Sequence, residues 1–269
     1  MNPVGNPLNF RNQEEIDISG PFNKTCDLLY FIRCGRTKPS CFDKVYSSSG
    51  SAVALSLYEE PDWCIPPDCI VIAGGLSKYH AFHKARDRLS FNFVFLLDAD
   101  IELPGFSESR LLSQLRSIDI NCVQYSLSDD SYASHRFHKH SGKPGLRRVN
   151  FVEVMAPIFT NRSVDRVLET FPMAISTWGL DFAWMKIFSG NKMYVLDSEI
   201  MVHLGKPDTK DGPFYKYLRT LGVSPEQELQ MMKNRFACDD VVIGNLPPLV
   251  PGLLYGRARS KIARWCSAI

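Results

Sequence analysis

Two carboxylates stand directly after the strongest predicted strand of the chain. Residues 93–97 are all apolar and end in Asp98-Ala99-Asp100. In an extended chain, residues two apart point to the same side, so both carboxylates can converge on one hard cation. A nucleotide diphosphate would supply further oxygen ligands, and the cation would neutralise its charge as it leaves. The motif therefore predicts metal and donor binding at Asp98 and Asp100.

The same acidic turn is compatible with other kinds of site to different degrees. A calcium-binding EF-hand is excluded, because the required glycine and further acidic positions are missing after Asp100. A phosphatase of the haloacid dehalogenase type would use Asp98 as its nucleophile. That nucleophile normally follows the first strand, whereas about 90 residues precede it here. The phosphatase stays as an alternative, as does a non-catalytic subunit that binds nucleotide sugars or glycans.

Basic residues precede this strand in a segment of helical character, residues 76–89. Lys78, Lys84, Arg86 and Arg88 are within reach of a diphosphate, although a solvated basic face explains them as well. We assign Arg86 to the donor site because of its position relative to the two aspartates.

The elements around Asp98 alternate between strand and helix. Apolar runs predict strands at residues 28–35, 53–61, 69–75, 91–100 and 149–159, and helices are predicted at 76–89, from Ser107, at 161–170 and at about 181–188. This alternation predicts an α/β fold with a mixed, mainly parallel sheet flanked by helices. Ligands of such folds collect at the carboxyl edge of the sheet, which is where Asp98 would lie.

Composition narrows the class of protein. A chain of 269 residues with 45% apolar content can bury one substantial core. The net charge of +2 gives no reason to expect nucleic-acid binding. The eight cysteines include no CxxC pair, which predicts reduced thiols. The first residues resemble no secretion signal and no apolar run reaches about 18 residues, so we expect a cytoplasmic protein.

These patterns divide the chain into three predicted segments. Residues 1–25 are predicted to be a flexible leader, residues 26–215 a single domain, and residues 216–269 a small helical appendage. Within the appendage, residues 253–269 interleave basic with apolar residues, including Trp265, and contain no acid. A helix of this composition can rest on an anionic membrane surface, although docking on the core explains it nearly as well.

A polar, basic and weakly periodic segment, residues 128–148, is predicted to be a long loop of the kind that often serves binding. It carries His135, His138 and His140. We set a zinc site aside, because loop spacing fixes no coordination geometry and no cysteine lies nearby.

Four pieces of the chain together resemble a known family: LLDADIEL (96–103), NFVEVMAPIF (150–159), WGLDFAWMK (178–186) and VLDSEIMVHLG (195–205). They are similar to the domain-of-unknown-function-707 family, which is regarded as glycosyltransferase-like. The resemblance implies a GT-A-like (Rossmann-like) fold and hexosyl transfer from a nucleotide-sugar donor to a carbohydrate or lipid-linked acceptor. It also implies a role in the synthesis of bacterial surface polysaccharides such as capsule or lipopolysaccharide. The protein would then be located in the cytoplasm or peripherally at the inner face of the membrane.

The same resemblance implies roles for the metal ligands. Asp100 would be the principal ligand, and Asp98 would contact the metal or the donor ribose. His203 matches the position of a third ligand, and its imidazole would favour Mn²⁺ over Mg²⁺. A structural role for His203 stays open.

It further implies an acceptor site. Trp178 would stack on a sugar face and Gly179 would let the backbone approach the ligand. Asp181 would be the general base, which suits an inverting displacement, while helix capping is its alternative. Glu153, an acid in an apolar segment, is expected to bind an acceptor hydroxyl or to face solvent.

Overall fold

The computed structural model describes residues 14–21, 25–47, 51–205 and 212–247. These residues form a ten-stranded sheet with helices on both faces. The strands are β1 (Ile16–Ser19), β2 (Cys26–Cys34), β3 (Ala52–Leu57), β4 (Ile70–Gly74), β5 (Phe91–Asp98), β6 (Ile101–Glu102), β7 (Cys122–Leu127), β8 (Leu146–Val149), β9 (Ile158–Thr160) and β10 (Met193–His203). The helices are α1 (Phe42–Tyr46), α2 (Lys78–Ala85), α3 (Glu108–Ser117), α4 (Asn161–Val167), α5 (Leu180–Ile187), α6 (Pro213–Thr220) and α7 (Pro225–Phe236).

The predicted α/β fold with a mixed sheet between helices is confirmed. The strand order is β1-β4-β3-β2-β5-β9-β7-β10-β6, and β8 pairs with β10. Strands β4, β3, β2 and β5 run parallel, as do β7 and β10. Antiparallel β9 lies between β5 and β7 and joins the two parallel groups. Strand β5 is thus central, so its last residue lies in the middle of the carboxyl edge.

The alternation along β5 explains where Asp98 points. Val94 and Leu96 belong to the core under α2 and α5, whereas Phe95 and Leu97 belong to the core on the other face. Each such buried side chain contributes about 1.5–3 kcal/mol, which fixes the register of the strand. Because side chains alternate, Asp98 falls on the same face as Val94 and Leu96, towards α2.

Two predicted segments differ from the structure. Strand β1 lies inside the predicted leader, where it pairs antiparallel with β4 at the edge of the sheet. The strand predicted over 149–159 is wrong: β8 ends at its first residue, β9 covers its end, and residues 150–157 form no regular strand. Carbonyls of this segment instead accept hydrogen bonds from amides near the end of β5. The amide of Asp98, for example, donates to the carbonyl of Met155 at 3.0 Å.

The carboxyl-terminal helices are tied to the rest of the chain. Helix α6 spans the predicted boundary between residues 215 and 216. Met232 of α7 is fully buried in the core under the sheet, and the Glu228 carboxylate accepts from the amides of Ile175 and Ser176 at 2.9 and 2.7 Å. The basic tail, residues 253–269, lies outside the described residues. Among the described helices, none is long and apolar enough to cross a membrane.

Candidate active site

The carboxylate of Asp98 is paired with a buried ammonium. Nζ of Lys78, the first residue of α2, lies 2.8 Å from Oδ1 of Asp98. The same ammonium donates to the carbonyls of Leu96, Val154 and Met155 at 2.9–3.1 Å. Burial lowers the pKa of Lys78 and raises that of Asp98, and each opposes the change in the other. Four acceptors around three N–H groups leave this ammonium no free donor for a ligand.

A second pair joins Asp100 to His203. Nε2 of His203, the last residue of β10, lies 3.3 Å from Oδ2 of Asp100. Burial works against both charges, but the hydrogen bond and the charge of each partner outweigh it. The pKa of Asp100 is therefore lowered and that of His203 raised, which favours carboxylate and imidazolium in the metal-free protein. The structure thus brings Asp100 and His203 into contact.

The donor set fits a cation that protein and ligand bind jointly. Within the described ranges, no group of three or more His, Cys, Asp and Glu side chains is arranged to hold a metal ion by itself. Mg²⁺ and Mn²⁺ at nucleotide sites commonly take only one or two carboxylates from the protein and further oxygens from phosphates. Asp100, His203 and the second oxygen of Asp98 meet that need. Nδ1 of His203 is buried without a hydrogen-bond partner, so the ring orientation is set by Asp100 and by packing.

Arg33 organises the neighbouring part of the same edge, and the sequence analysis did not single it out. Its guanidinium donates to Ser56 Oγ at 2.8 Å and to the carbonyls of Gly74 and Gly75. Burial lowers the pKa of Arg33 to about 10, and the charge of Asp98 opposes this. Both glycines have positive φ, and a Cβ on Gly75 would lie 2.6 Å from that of Ala81. This turn brings the amino end of α2, which favours anions, beside Asp98.

Arg86 lies at the other end of the strand, so its donor-site assignment is wrong. Its guanidinium forms a bidentate pair with Asp165 at 2.7 and 3.1 Å, bonds Asn161, and stacks over Phe91. Phe91 begins β5 and Asp98 ends it. Seven steps of about 3.3 Å separate them by roughly 23 Å. The basic residue at the acidic turn is Lys78, which starts the helix that Arg86 follows.

Aromatic side chains border the acidic turn. Nε1 of Trp178 donates to the Tyr215 hydroxyl at 3.3 Å, and the Tyr132 ring lies 6.3 Å from that of His203. Burial raises the pKa of Tyr215; the Trp178 hydrogen bond opposes this, and the charge of Asp98 adds to it. Tyr215 is thus within electrostatic range of Asp98, and Trp178 is joined to Tyr215 by its hydrogen bond. Such rings are suited to stacking on the apolar faces of a sugar.

Asp181 occupies the first turn of α5. Its Oδ1 accepts from the amide of Phe182 at 2.9 Å, and the residue that precedes the helix is Gly179 rather than Asp181. Burial, followed by the charge of Glu153, raises the pKa of Asp181 to about 8. Tyr79 links it to the acidic turn, because the charges of Asp98 and Asp181 both add to the rise that burial causes in the pKa of Tyr79. A carboxyl group with such a pKa can exchange a proton near neutral pH.

Glu153 does not face solvent. It is 3% exposed, and its Oε1 lies 3.3 Å from Nδ1 of His138, which is fully buried. Nε2 of His138 is 3.0 Å from the carbonyl of Phe151, and a carbonyl only accepts, so Nε2 carries a proton. Nδ1 of His138 and both carboxylate oxygens of Glu153 are buried without a hydrogen-bond partner among the described residues. Glu153 is thus a buried acid beside His138, and its charge adds to the rise in the pKa of Asp181.

Gly179 serves packing. It has φ of +91°, and a Cβ at this position would lie 2.6 Å from Cβ of Met232 on α7. The space in which a ligand was expected to approach the backbone is therefore filled by α7. Trp178, the preceding residue, keeps its contact with Tyr215.

The chain belongs to the family described as "Protein of unknown function (DUF707)". The match covers residues 88–238, which include the acidic turn, Asp181 and His203. The family resemblance drawn from the sequence is confirmed. No curated protein matches the chain in sequence.

Solved structures of similar shape include GalNAc-T7 with UDP, GalNAc and Mn²⁺, at 12% identity and a TM-score of 0.49 over 78% of this chain and 50% of that one. TarS of S. aureus matches at 8% identity and a TM-score of 0.48, over 78% of this chain and 43% of that one. A197 from STIV matches at 11% identity and a TM-score of 0.39, over 67% of this chain and 86% of that one. The chain thus spans half or less of two of these proteins. Since all three TM-scores lie below 0.5, none assigns an activity.

Proposed function

We propose that the chain is a metal-dependent glycosyltransferase that uses a nucleotide-sugar donor and a carbohydrate or lipid-linked acceptor. The observation that carries the proposal is the meeting of Asp98, Asp100 and His203 at the carboxyl edge of a central strand. The pair of Asp100 and His203 lies there beside an acid whose charge is balanced by Lys78. The family resemblance points to the same class of enzyme.

Each group has a separate task in this proposal. Asp100 and His203 hold Mn²⁺, or Mg²⁺ less well, and the ion when bound neutralises the diphosphate as it leaves. Asp98, held by Lys78, directs its second oxygen towards the ion or the donor ribose. Trp178 and the neighbouring Tyr215 offer ring faces to a sugar.

Asp181 is the proposed base for the acceptor hydroxyl. With a pKa of about 8 it holds a proton at neutral pH in the free enzyme, so it must lose that proton before it can accept one. The positive charge of a bound cation at Asp100 favours that loss. A base in this position would act by direct displacement with inversion of the sugar carbon.

The first experiment measures thermal stabilisation by UDP, GDP and CMP sugars, with and without Mn²⁺. The wild type should be stabilised by one donor class only when Mn²⁺ is present. Asp100→Ala should lose this response, His203→Ala should need more Mn²⁺, and exposed Asp87→Ala should behave as wild type. Manganese-dependent binding that survives in Asp100→Ala would overturn the metal assignment.

The same screen separates the alternatives. A response to phosphomonoesters alone would favour the phosphatase that uses Asp98. Donor binding without sugar transfer to any acceptor would favour the non-catalytic subunit. If the enzyme is a transferase, Asp181→Asn should keep donor binding and lose about 10²-fold or more in transfer rate.

A further inference from the structure

The loop of residues 128–148 borders an open cavity of about 630 Å³ that the proposed chemistry does not use. The loop contains one 3-10 turn, Arg136–His138, and its last residues enter β8. The walls include Asp129, Arg136, Phe137, Lys139, His140 and Asn245. A volume of this size accommodates a sugar residue.

One wall of this cavity is a fixed and electrically neutral frame. Arg147 bonds both carboxylate oxygens of Asp197, the carbonyls of Phe137 and Lys139, and the side chain of Asn245. These five bonds use all five N–H groups of the guanidinium. Arg147 therefore shapes the cavity and offers no donor to a ligand.

His140 belongs to the same neutral frame. Its Nε2 lies 2.9 Å from the carbonyl of Asp197, so that nitrogen carries a proton. Its Nδ1 accepts from the amide of Gly142 at 3.1 Å, so that nitrogen does not. The ring is neutral in this arrangement, and it adds no charge to the cavity.

Two cations that line the cavity keep donors for a ligand. Arg136 is exposed, and within the described ranges its side chain makes no hydrogen bond or ion pair. Nζ of Lys139 donates to the carbonyls of Asp129 and Ser131, which leaves one N–H group unused. The carboxylate of Asp129 opposes them with a single negative charge. The lining therefore carries an excess of positive charge, with Phe137 as an apolar wall beside it.

The cavity adjoins the acidic turn through one residue. The hydroxyl of Ser131 accepts from the amide of His203 at 3.0 Å, and its carbonyl accepts from Nζ of Lys139 at 3.0 Å. Tyr132, the next residue, borders His203 with its ring. Ser131 and Tyr132 therefore lie between the lining residue Lys139 and the pair of Asp100 and His203.

From these contacts we infer that the cavity binds an anionic sugar of the acceptor, whose carboxylate or phosphate is held by Arg136 and Lys139. Arginine matches planar oxyanions with two parallel hydrogen bonds, and lysine adds a point charge. Phe137 packs against the C–H face of the sugar ring. The inference deepens the proposed function, because it names the acceptor class of the same site.

The test uses the full chain and measures binding of glucuronate, glucose 6-phosphate, inorganic phosphate and neutral glucose by NMR titration. We expect at least one charged sugar to bind about tenfold or more tightly than glucose. Arg136→Gln and Lys139→Gln should each remove this preference, whereas Arg162→Gln, an exposed arginine on α4, should retain it. Melting temperatures of all variants control for folding.

Each outcome of the titration either supports or overturns the inference. Preference for glucuronate identifies a carboxylate sugar, and preference for glucose 6-phosphate identifies a phosphorylated one. Equal binding of charged and neutral sugars, or a preference that survives in both variants, would overturn the inference. Inorganic phosphate that binds as tightly as the sugar phosphate would also overturn it, because the site would then recognise no sugar. Nucleotide binding with Mn²⁺ is measured separately. Loss of that binding would count against the proposed function, whereas loss of the preference for charged sugars would count against this inference.

Discussion

The ammonium of Lys78 closes the carboxyl end of β5 by an ion pair with Asp98, 2.8 Å away, and by three hydrogen bonds to backbone carbonyls. This pair brings together α2, the central strand and residues 150–157. Without it, Asp98 would be a partly buried carboxylate that has lost its directly bonded counter-charge. Its geometry therefore depends on a residue of another element.

Lys78→Met is expected to destabilise the fold by about 1–3 kcal/mol, because three backbone carbonyls lose their donor and Asp98, whose side chain is 39% exposed, loses its bonded ammonium. Urea unfolding measures the effect, and Lys84→Met, exposed on the same helix, should stay within about 0.5 kcal/mol of wild type. In the double variant Lys78→Met/Asp98→Asn, part of the lost stability should return. No recovery would show that the carbonyl bonds, rather than the ion pair, carry the contribution.

A pH dependence follows from Asp181. Its pKa is raised to about 8 in the folded chain, whereas the pKa of an unfolded aspartate is about 3.9. Between these values unfolding releases a proton, so this group stabilises the fold at low pH and its contribution falls as the pH rises. Each tenfold change in proton affinity is worth about 1.4 kcal/mol.

Asp181→Asn should therefore be more stable than wild type by at least about 1.4 kcal/mol near pH 8, and the difference should shrink towards pH 4. Chemical unfolding at several pH values provides the measurement, with Asp87→Asn expected to follow wild type throughout. A constant difference between Asp181→Asn and wild type across this range would contradict the raised pKa.

The packing of α7 on α5 depends on Gly179. Gly179→Ala combines the strain of a positive φ with a Cβ placed 2.6 Å from Met232, so it should displace α7 and cost more than the strain alone. Gly222→Ala is the matched control, because Gly222 has φ of +70° and nothing within 4 Å of an added Cβ. Melting temperatures should rank wild type above Gly222→Ala, and Gly222→Ala above Gly179→Ala. Equal losses would mean that only backbone strain counts.

The basic tail gives a prediction that rests on sequence. Arg257, Arg259, Lys261 and Arg264 lie in residues 253–269, and each would contribute about 1 kcal/mol near an anionic membrane surface. Deletion of 253–269 should reduce co-sedimentation with phosphatidylserine vesicles at low salt and leave nucleotide binding unchanged. Equal sedimentation of both proteins, or unfolding of the shorter one, would assign the tail to the fold instead.

Local patterns predicted the central features of this protein well. Strand β5 and its acidic end follow from a run of apolar residues, and α3 follows from its Ser107 cap and its periodicity. The meeting of Asp100 with His203 came from the resemblance rather than from spacing, since Asp100 follows β5 and His203 ends β10, far apart in sequence. Their role as metal ligands stays a prediction.

What local patterns missed depends on long-range contacts. Among the basic residues before β5, charge alone could not separate Lys78 at one end of the helix from Arg86 at the other. Arg33 interrupts an apolar strand. An arginine in such a strand is buried and needs several hydrogen-bond acceptors, and this pattern could have identified it from the sequence. Residues 150–157 have strand composition, but their carbonyls serve Lys78 and the amides of β5, which no periodicity reveals.

The bonds from Glu228 to the amides of Ile175 and Ser176 have a consequence for biosynthesis. A ribosome delivers residues 161–187 well before α7, so these two amides and the hollow beside Gly179 stay hydrated until residue 236 has left the exit tunnel. Strands β5 and β10, which carry Asp98 and His203, can already join the sheet at that stage. Nascent chains should therefore gain a folded sheet first and the surroundings of Asp181 last, which makes the proposed base the final part of the site to mature.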